Sequence, residues 1–364
     1  MKSSAPLSRS AILLIVAIAA LLGTPSLAGA RDETTSPSTT SPSTTVPSTT
    51  ASKAAAGQRL CDITDPLIDD ISGLVAIENG YAVINDRGSQ EQSSQIHLLN
   101  ADCAVTTTLS APQRPTDVED LARTGDGTYW LADIGDNDSV RDSIVLRAFK
   151  PDDTSAIDYV LRYPDGVHNS EAVLITDDRT PVIVTKSQDG VAEIYITTRR
   201  LTREPSAPLT LRKAGELELE PTGTPGGARD GNLDEANVLV TGGAVSHDGR
   251  RVALRTYTDV YEWRIPAHAS ARRIAAVIVS NTPDRTPVPG EAQGEAIAYN
   301  TDDTRLLTLS EGTGKPLQAW QPVRAASEND EGSGWVVAGM TAAVIAAASV
   351  VGIVLLRRRR ARRG

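Results

Sequence analysis

The run Glu119-Asp-Leu-Ala-Arg-Thr-Gly-Asp-Gly-Thr-Tyr-Trp-Leu-Ala, residues 119 to 132, decides the fold. An acid opens a short apolar stretch, Asp126-Gly127 signals a tight turn, and Tyr129 starts a second β-rich run. Strand, turn and strand in that order make a hairpin. Four other segments align with the first half of this one: Ser72-Gly-Leu-Val-Ala-Ile, Glu171-Ala-Val-Leu-Ile-Thr, Gly243-Ala-Val-Ser-His-Asp and Glu295-Ala-Ile-Ala-Tyr-Asn. Turn signals follow at Asn79-Gly80, Asp177-Asp178, Asp248-Gly249 and Asp302-Asp303, each succeeded by another β-rich run. One hairpin repeated five times is an array.

The copies begin at 72, 119, 171, 243 and 295, at intervals of 47, 52, 72 and 52 residues. A four-stranded propeller blade takes about 40 to 50 residues. The intervals hold the further strands that blades need. Blade one continues through Gln95 to Leu99 and Val105 to Leu109, and blade two through Ile144 to Phe149 and Tyr159 to Tyr163. Blade three continues through Glu193 to Thr197 and Leu209 to Arg212, and blade four through Val260 to Trp263 and Ile274 to Val279. The Gly- and Pro-rich stretch Pro221 to Asn232 reads as a loop insertion in the longest interval. The expected fold is therefore an all-β, five-bladed β-propeller over residues 57–323, with six blades as the alternative count.

Blade five has only Leu306 to Leu309 and Leu317 to Trp320 after its first strand, one strand too few. Gln58 to Ile63, ahead of blade one, can supply the missing outer strand, so that the two ends of the domain close the ring and seal its sheet edges. Cys61 lies in that strand and Cys103 follows the third strand of blade one. In an exported protein two cysteines are expected to be bridged; the rival reading, two reactive thiols, requires a reducing compartment.

Export is the expectation from the N-terminus. Lys2 and Arg9 precede the uncharged apolar run Ala11 to Leu22, and Ala28-Gly29-Ala30 has the small-x-small form of a cleavage site, so residues 1–30 read as a signal peptide. Residues 31–56, dominated by Ser, Thr and Pro, cannot build a core and read as disordered. After a juxtamembrane linker, 324–334, Trp335 to Leu356 runs 22 residues without a charge and reads as a transmembrane helix. The arginine-rich tail, 357–364, marks the cytoplasmic side. This arrangement predicts a single-pass membrane protein with its propeller outside the cell. The formal net charge of −10 hides two unlike parts. Lys2, Arg9 and six tail arginines contribute eight positive charges and neither end holds an acid, which leaves residues 31–334 at −18. A surface that acidic excludes a phosphate-tracking nucleic-acid binder.

Several motifs carry a resemblance: Ser72 to Val75, Glu119 to Asn137 with Trp130-Leu-Ala-Asp-Ile-Gly-Asp-Asn, His168 to Ala172, Arg255 to Trp263 and Gln293 to Tyr299. Between about Cys61 and Trp320 the chain resembles exported, membrane-anchored β-propeller proteins of actinobacteria, and more distantly the propellers grouped as esterase-like or phytase-like. The resemblance implies the propeller fold and a surface location, and it implies no settled activity.

The first strand of each blade lines the channel, so the leading repeat residues Ser72, Glu119, Glu171, Gly243 and Glu295 should converge. Three glutamates around one opening repel unless a cation or water relieves them, and hard oxygen donors suit calcium. Glu119, Asp120, Glu171 and Glu295 are the expected metal ligands, with Asn169 and Gln293 beside them. The competing reading has these carboxylates accept hydrogen bonds from neighbouring blades and hold the ring shut. His168, Lys186 and Arg255 are the expected ligand-binding residues around the same opening. Asp133, Asp136, Asn137, Asp138 and Asp142 form a second acidic patch whose expected purpose is turn formation. No Gly-x-Ser-x-Gly elbow, His-Glu-x-x-His or phosphate loop is present. The functional expectation is a binding or protein-interaction module that takes a cation, a small polar ligand or an envelope protein. The alternative is a calcium-dependent phytase-like or esterase-like hydrolase.

Overall fold

The computed structural model describes residues 56–86, 95–111, 114–205, 207–227 and 232–324, all within one compact unit, 53–364. The expected signal peptide, the Ser/Thr/Pro-rich segment up to residue 55, the linker from 325, the apolar run and the arginine tail lie outside the described residues. Among the described residues no helix is long and apolar enough to cross a membrane.

The chain lays down β1 (Gln58–Asp62) and then blade one, β2 (Ile71–Ile77), β3 (Gly80–Asn85), β4 (Gln95–Asn100) and β5 (Val105–Ser110). Blade two is β6 (Val118–Arg123), β7 (Tyr129–Asp133), β8 (Ile144–Phe149) and β9 (Ile157–Arg162). Blade three is β10 (Ser170–Ile175), β11 (Pro181–Thr185) and β12 (Val191–Ile196); a short β13 (Leu209–Thr210) leads into its fourth strand, β14 (Arg212–Glu218). After α1 (Leu233–Ala236) comes blade four, β15 (Val240–Val245), β16 (Arg251–Thr256) and β17 (Asp259–Arg264), with α2 (Ala271–Ser280) preceding its outer strand β18 (Asp284–Pro287). Blade five is β19 (Gly294–Tyr299), β20 (Leu306–Ser310) and β21 (Pro316–Trp320).

The expected closure is present. β1 pairs antiparallel with β21, so blade five takes its fourth strand from the N-terminal side of blade one. Cys61 and Cys103 are disulfide-bonded across this seam. Five hydrophobic clusters then join neighbouring blades around the ring: one to two, two to three, three to four, four to five, and five back to one. The period-2 alternation of the inner strands feeds two clusters at once. In β10, Val173 packs toward blade two while Ala172 and Leu174 pack toward blade four. Inner strands also approach closely enough to need small residues. A Cβ on Gly73 would lie 2.6 Å from the backbone nitrogen of Leu121 in the next blade.

Three expectations need correction. The apolar run Ile274 to Val279 is not the outer strand of blade four but the body of α2. Ala271, Ile274, Ala275 and Ile278 are buried while Arg272, Arg273 and Ala276 face outward, a helical period that the all-apolar core of the run conceals. The outer strand is β18 instead. Leu209 to Arg212 is not blade three's fourth strand either: β13 pairs parallel with β9 of blade two, and β14 completes blade three. Finally, the repeat in blade four starts two residues earlier than aligned. Each inner strand slips register around one residue, namely Ser72, Glu119, Glu171, Thr241 and Glu295. Thr241, not Gly243, is the equivalent position.

Candidate functional site

Those five bulged residues sit where the inner strands begin. A bulge inserts an unpaired residue and re-aims its side chain. Here it turns Ser72, Glu119, Glu171 and Glu295 toward a cavity of about 420 Å³ at one end of the channel. Thr241 turns aside and donates its hydroxyl to the Gly294 carbonyl at 2.8 Å. Ser72 likewise donates to the Glu119 carbonyl at 2.7 Å. Two of the five positions thus stitch neighbouring blades together through hydroxyls, while the glutamates meet different partners.

Glu171 is held by Lys186, whose ammonium lies 3.0 Å from its carboxylate, and by Asn169 at 3.4 Å. Lys186 follows β11 and also lies over the Tyr257 ring, 5.0 Å from its centroid. Burial alone would lower the Lys186 ammonium, but Glu171, Glu295 and Tyr257 outweigh it and hold the group charged well above its ordinary range. Glu119 and Glu295 fare differently. Burial, the largest cause, pushes both carboxyls well above their ordinary 4.5. Lys186 opposes the rise in both cases. One oxygen of each, Glu119 Oε1 and Glu295 Oε2, is buried without a hydrogen-bond partner among the described residues.

Asp120 has another task. Its carboxylate accepts hydrogen bonds from the backbone N–H of Leu121 at 2.8 Å, Val173 at 2.8 Å and Gly243 at 3.2 Å. It therefore pins blades two, three and four together beneath the cavity and has little capacity left for a metal. Beyond it, a second cavity of about 110 Å³ at the opposite end is lined by apolar side chains such as Leu74, Leu121 and Val173 together with Arg123, Asp177 and His247. The two ends differ in charge: acids dominate the first cavity, and the second mixes Arg123 and His247 with Asp177.

The structure separates the three expected ligand-binding residues. Lys186 lines the cavity. Arg255 is fully buried, ion-paired to Glu291 at 2.8 Å, with its remaining N–H groups on the carbonyls of Thr256, Tyr257 and Ala296. His168 stands outside the cavity, between Asp165 at 3.1 Å and Glu193 at 3.0 Å, with the Tyr195 hydroxyl at 3.0 Å. The second acidic patch works mainly as turn chemistry: Asp136 accepts from the backbone N–H of Val140 and Arg141, each at 2.9 Å, and Asp133 pairs with Arg141.

Several wall residues went unnoticed in the sequence: Asp70, Asp86, Glu235, Tyr257 and Glu311. They come from strand ends and from the insertion around α1, so no common motif marks them. The Thr241 register did carry a signal. Each bulged residue stands seven positions before a turn residue: 72 and 79, 119 and 126, 171 and 178, 241 and 248, 295 and 302.

The raised carboxyls fix a pH dependence. Glu119, Asp120 and Glu295 keep their protons in the fold over a range where the unfolded chain has released them. Their contribution to stability is complete below the ordinary values and is lost as pH rises through the raised ones. His247, raised by its bond to Asp303, acts in the same direction from its ordinary 6.5 upward. In chelator, the melting temperature should fall between pH 5 and pH 8, and Glu295→Gln should flatten that slope. A melting temperature that climbs over this interval would refute the assignment.

No protein-family model matches the chain, and no curated protein does. Among solved structures the chain is similar to "Crystal structure of RRP9 WD40 repeats", at 13% identity over 70% of this chain and 67% of that one, with a TM-score of 0.35. It is also similar to "Structure of U3-55K", at 12% identity over 69% and 67%, with a TM-score of 0.34. The five blades follow from strand pairing within the chain itself.

Proposed function

We propose that this chain is a binding module, displayed on the outer face of the cell membrane, whose channel mouth receives a cationic group from a small ligand or a partner protein. The observation that carries the reading is the charge of the cavity wall. Among the described residues, Asp70, Asp86, Glu119, Glu171, Glu235, Glu295 and Glu311 line it with one lysine. Carboxylates gathered in a concave site concentrate cations and favour groups that replace lost water with hydrogen bonds. Display outside the cell is supported by the N-terminal apolar run and by the charge-free stretch Trp335 to Leu356 with its arginine tail.

Spermidine serves as the probe because it presents several ammonium groups on a thin chain. Calorimetry of the full-length chain in EDTA should show saturable binding that weakens as salt rises from 50 to 500 mM. A bound cation displaces the proton that Glu295 otherwise holds, so Glu295→Gln should reduce the affinity by about tenfold, the loss of one charge-assisted contact. Absence of saturable binding, or preference for an anion of the same size, would refute the reading. Turnover of a phosphate ester abolished by chelation would replace it with a hydrolase.

A further inference from the structure

Glu119 is poorly satisfied for a buried acid. It is 2% exposed, Oε1 accepts no hydrogen bond among the described residues, and Oε2 has the long 3.4 Å contact from Ser72 Oγ. Lys186, the one cation among the described residues of the cavity wall, is committed to Glu171 at 3.0 Å. Two more acids converge on this spot. Asp86 follows β3 in blade one, and Asp117 stands two residues ahead of Glu119. One carboxylate oxygen from each of the three lies within 4.8 Å of the other two.

The space between them is kept open by a glycine. A Cβ on Gly135 would overlap both Glu119 Oε1 and Asp117 Oδ2, so the two oxygens face the same volume. After burial itself, Glu171, Asp86 and Asp117 are the charges that push the Glu119 carboxyl up. Like charges at this range need either a proton or a cation between them. Oxygens this close can share one ion whose bonds are about 2.3 to 2.6 Å long, the range of calcium.

We propose that Asp86, Asp117 and Glu119 hold one calcium ion in the cleft between blades one and two, to the side of the channel axis. The ion neutralises the buried Glu119 and ties the end of β3 to the start of β6. It does not use Asp120, which is spent on backbone N–H groups, or Glu171, which belongs to Lys186. The site stands whether or not the cavity receives an organic cation.

The test titrates the full-length chain in detergent, stripped with EDTA and dialysed, with calcium chloride alone. Calorimetry should show one calcium per chain, and the melting temperature should be higher in calcium than in EDTA. Asp117→Asn and Glu119→Gln should each raise Kd by more than about tenfold, because affinity follows the number of charged ligands. Gly135→Ala should do the same by filling the ion's place. Asp138→Asn, an exposed acid of the neighbouring loop, should leave Kd unchanged. Asp117→Asn decides the matter if Glu119→Gln disturbs folding, since Asp117 is only partly buried. No heat and no thermal shift with the wild-type chain overturns the proposal, leaving Glu119 protonated instead. Calcium binding that survives Asp117→Asn but is lost in Glu171→Gln also overturns it. Spermidine binding is measured in EDTA, so failure here and failure there are separate results.

Discussion

Replacing Cys61 by serine should lower the stability of the propeller by about 4 kcal/mol, the chain-entropy value for a closed loop of this length. The two cysteines are 42 residues apart and the chain between them is most of blade one. The bridge also joins β1, the strand that completes blade five, to the corner after β4. β1 is held to β21 by only a short, bulged ladder running from Gln58↔Ala319 to Asp62↔Pro316. Without the bridge, that strand can leave and expose the edge of β21. Urea denaturation of the wild-type chain and of Cys61→Ser measures the difference. Reduction of the wild type should reproduce it, and the melting temperature should drop by about 10 °C for a domain of this size. A loss below about 1 kcal/mol would mean that the ladder and the cluster around Leu317 close the ring unaided.

The second large effect belongs to Arg255. Its guanidinium is fully buried against Glu291, a carboxylate that also accepts from the Thr308 hydroxyl. Arg255→Met keeps the packing volume but leaves Glu291 buried with its cation gone. Breaking a buried pair from one side costs about 3 to 5 kcal/mol. Removing both charges with Arg255→Met and Glu291→Leu should recover much of that loss, since the desolvation penalty of the pair disappears with it. Denaturant midpoints of the two variants and the wild type check both statements. If the single variant is as stable as wild type, Arg255 is not the seam between blades four and five, and a direct ligand role returns.

Much of the ring was legible because a hairpin is a local object. Glu119 to Ala132 carries its strand period, turn chemistry and second strand within 14 residues, and four relatives repeat it. The closing strand followed from counting strands, and the Cys61–Cys103 bridge from the expectation that two cysteines of an exported chain pair. The misreadings fell where local pattern is ambiguous. Ile274 to Val279 is apolar throughout, so only its flanks and burial separate helix from strand. β13 is two residues long and pairs with another blade, a partner no local pattern names. In β15 the bulge falls on Thr241, with no acid to align with the other blades, so only its seven-residue spacing to Asp248 marks the register.

The repeat, the expected seam and the glutamates at three of the five strand starts were legible in the chain alone, all of them properties of short segments, whereas the choice of five blades over six came from the strand pairing. Only the tertiary structure decided what each charged group does. Asp120 and Glu119 are neighbours in the chain, yet the bulge turns one to the backbone of two other blades and leaves the other facing acids at the cavity. Lys186, Arg255 and His168 look alike as isolated charges, and only one of them lines the opening. The role of a charge depends on which partners the folded chain brings within a few ångströms and how much water remains, and neither is written in the spacing of residues along the chain.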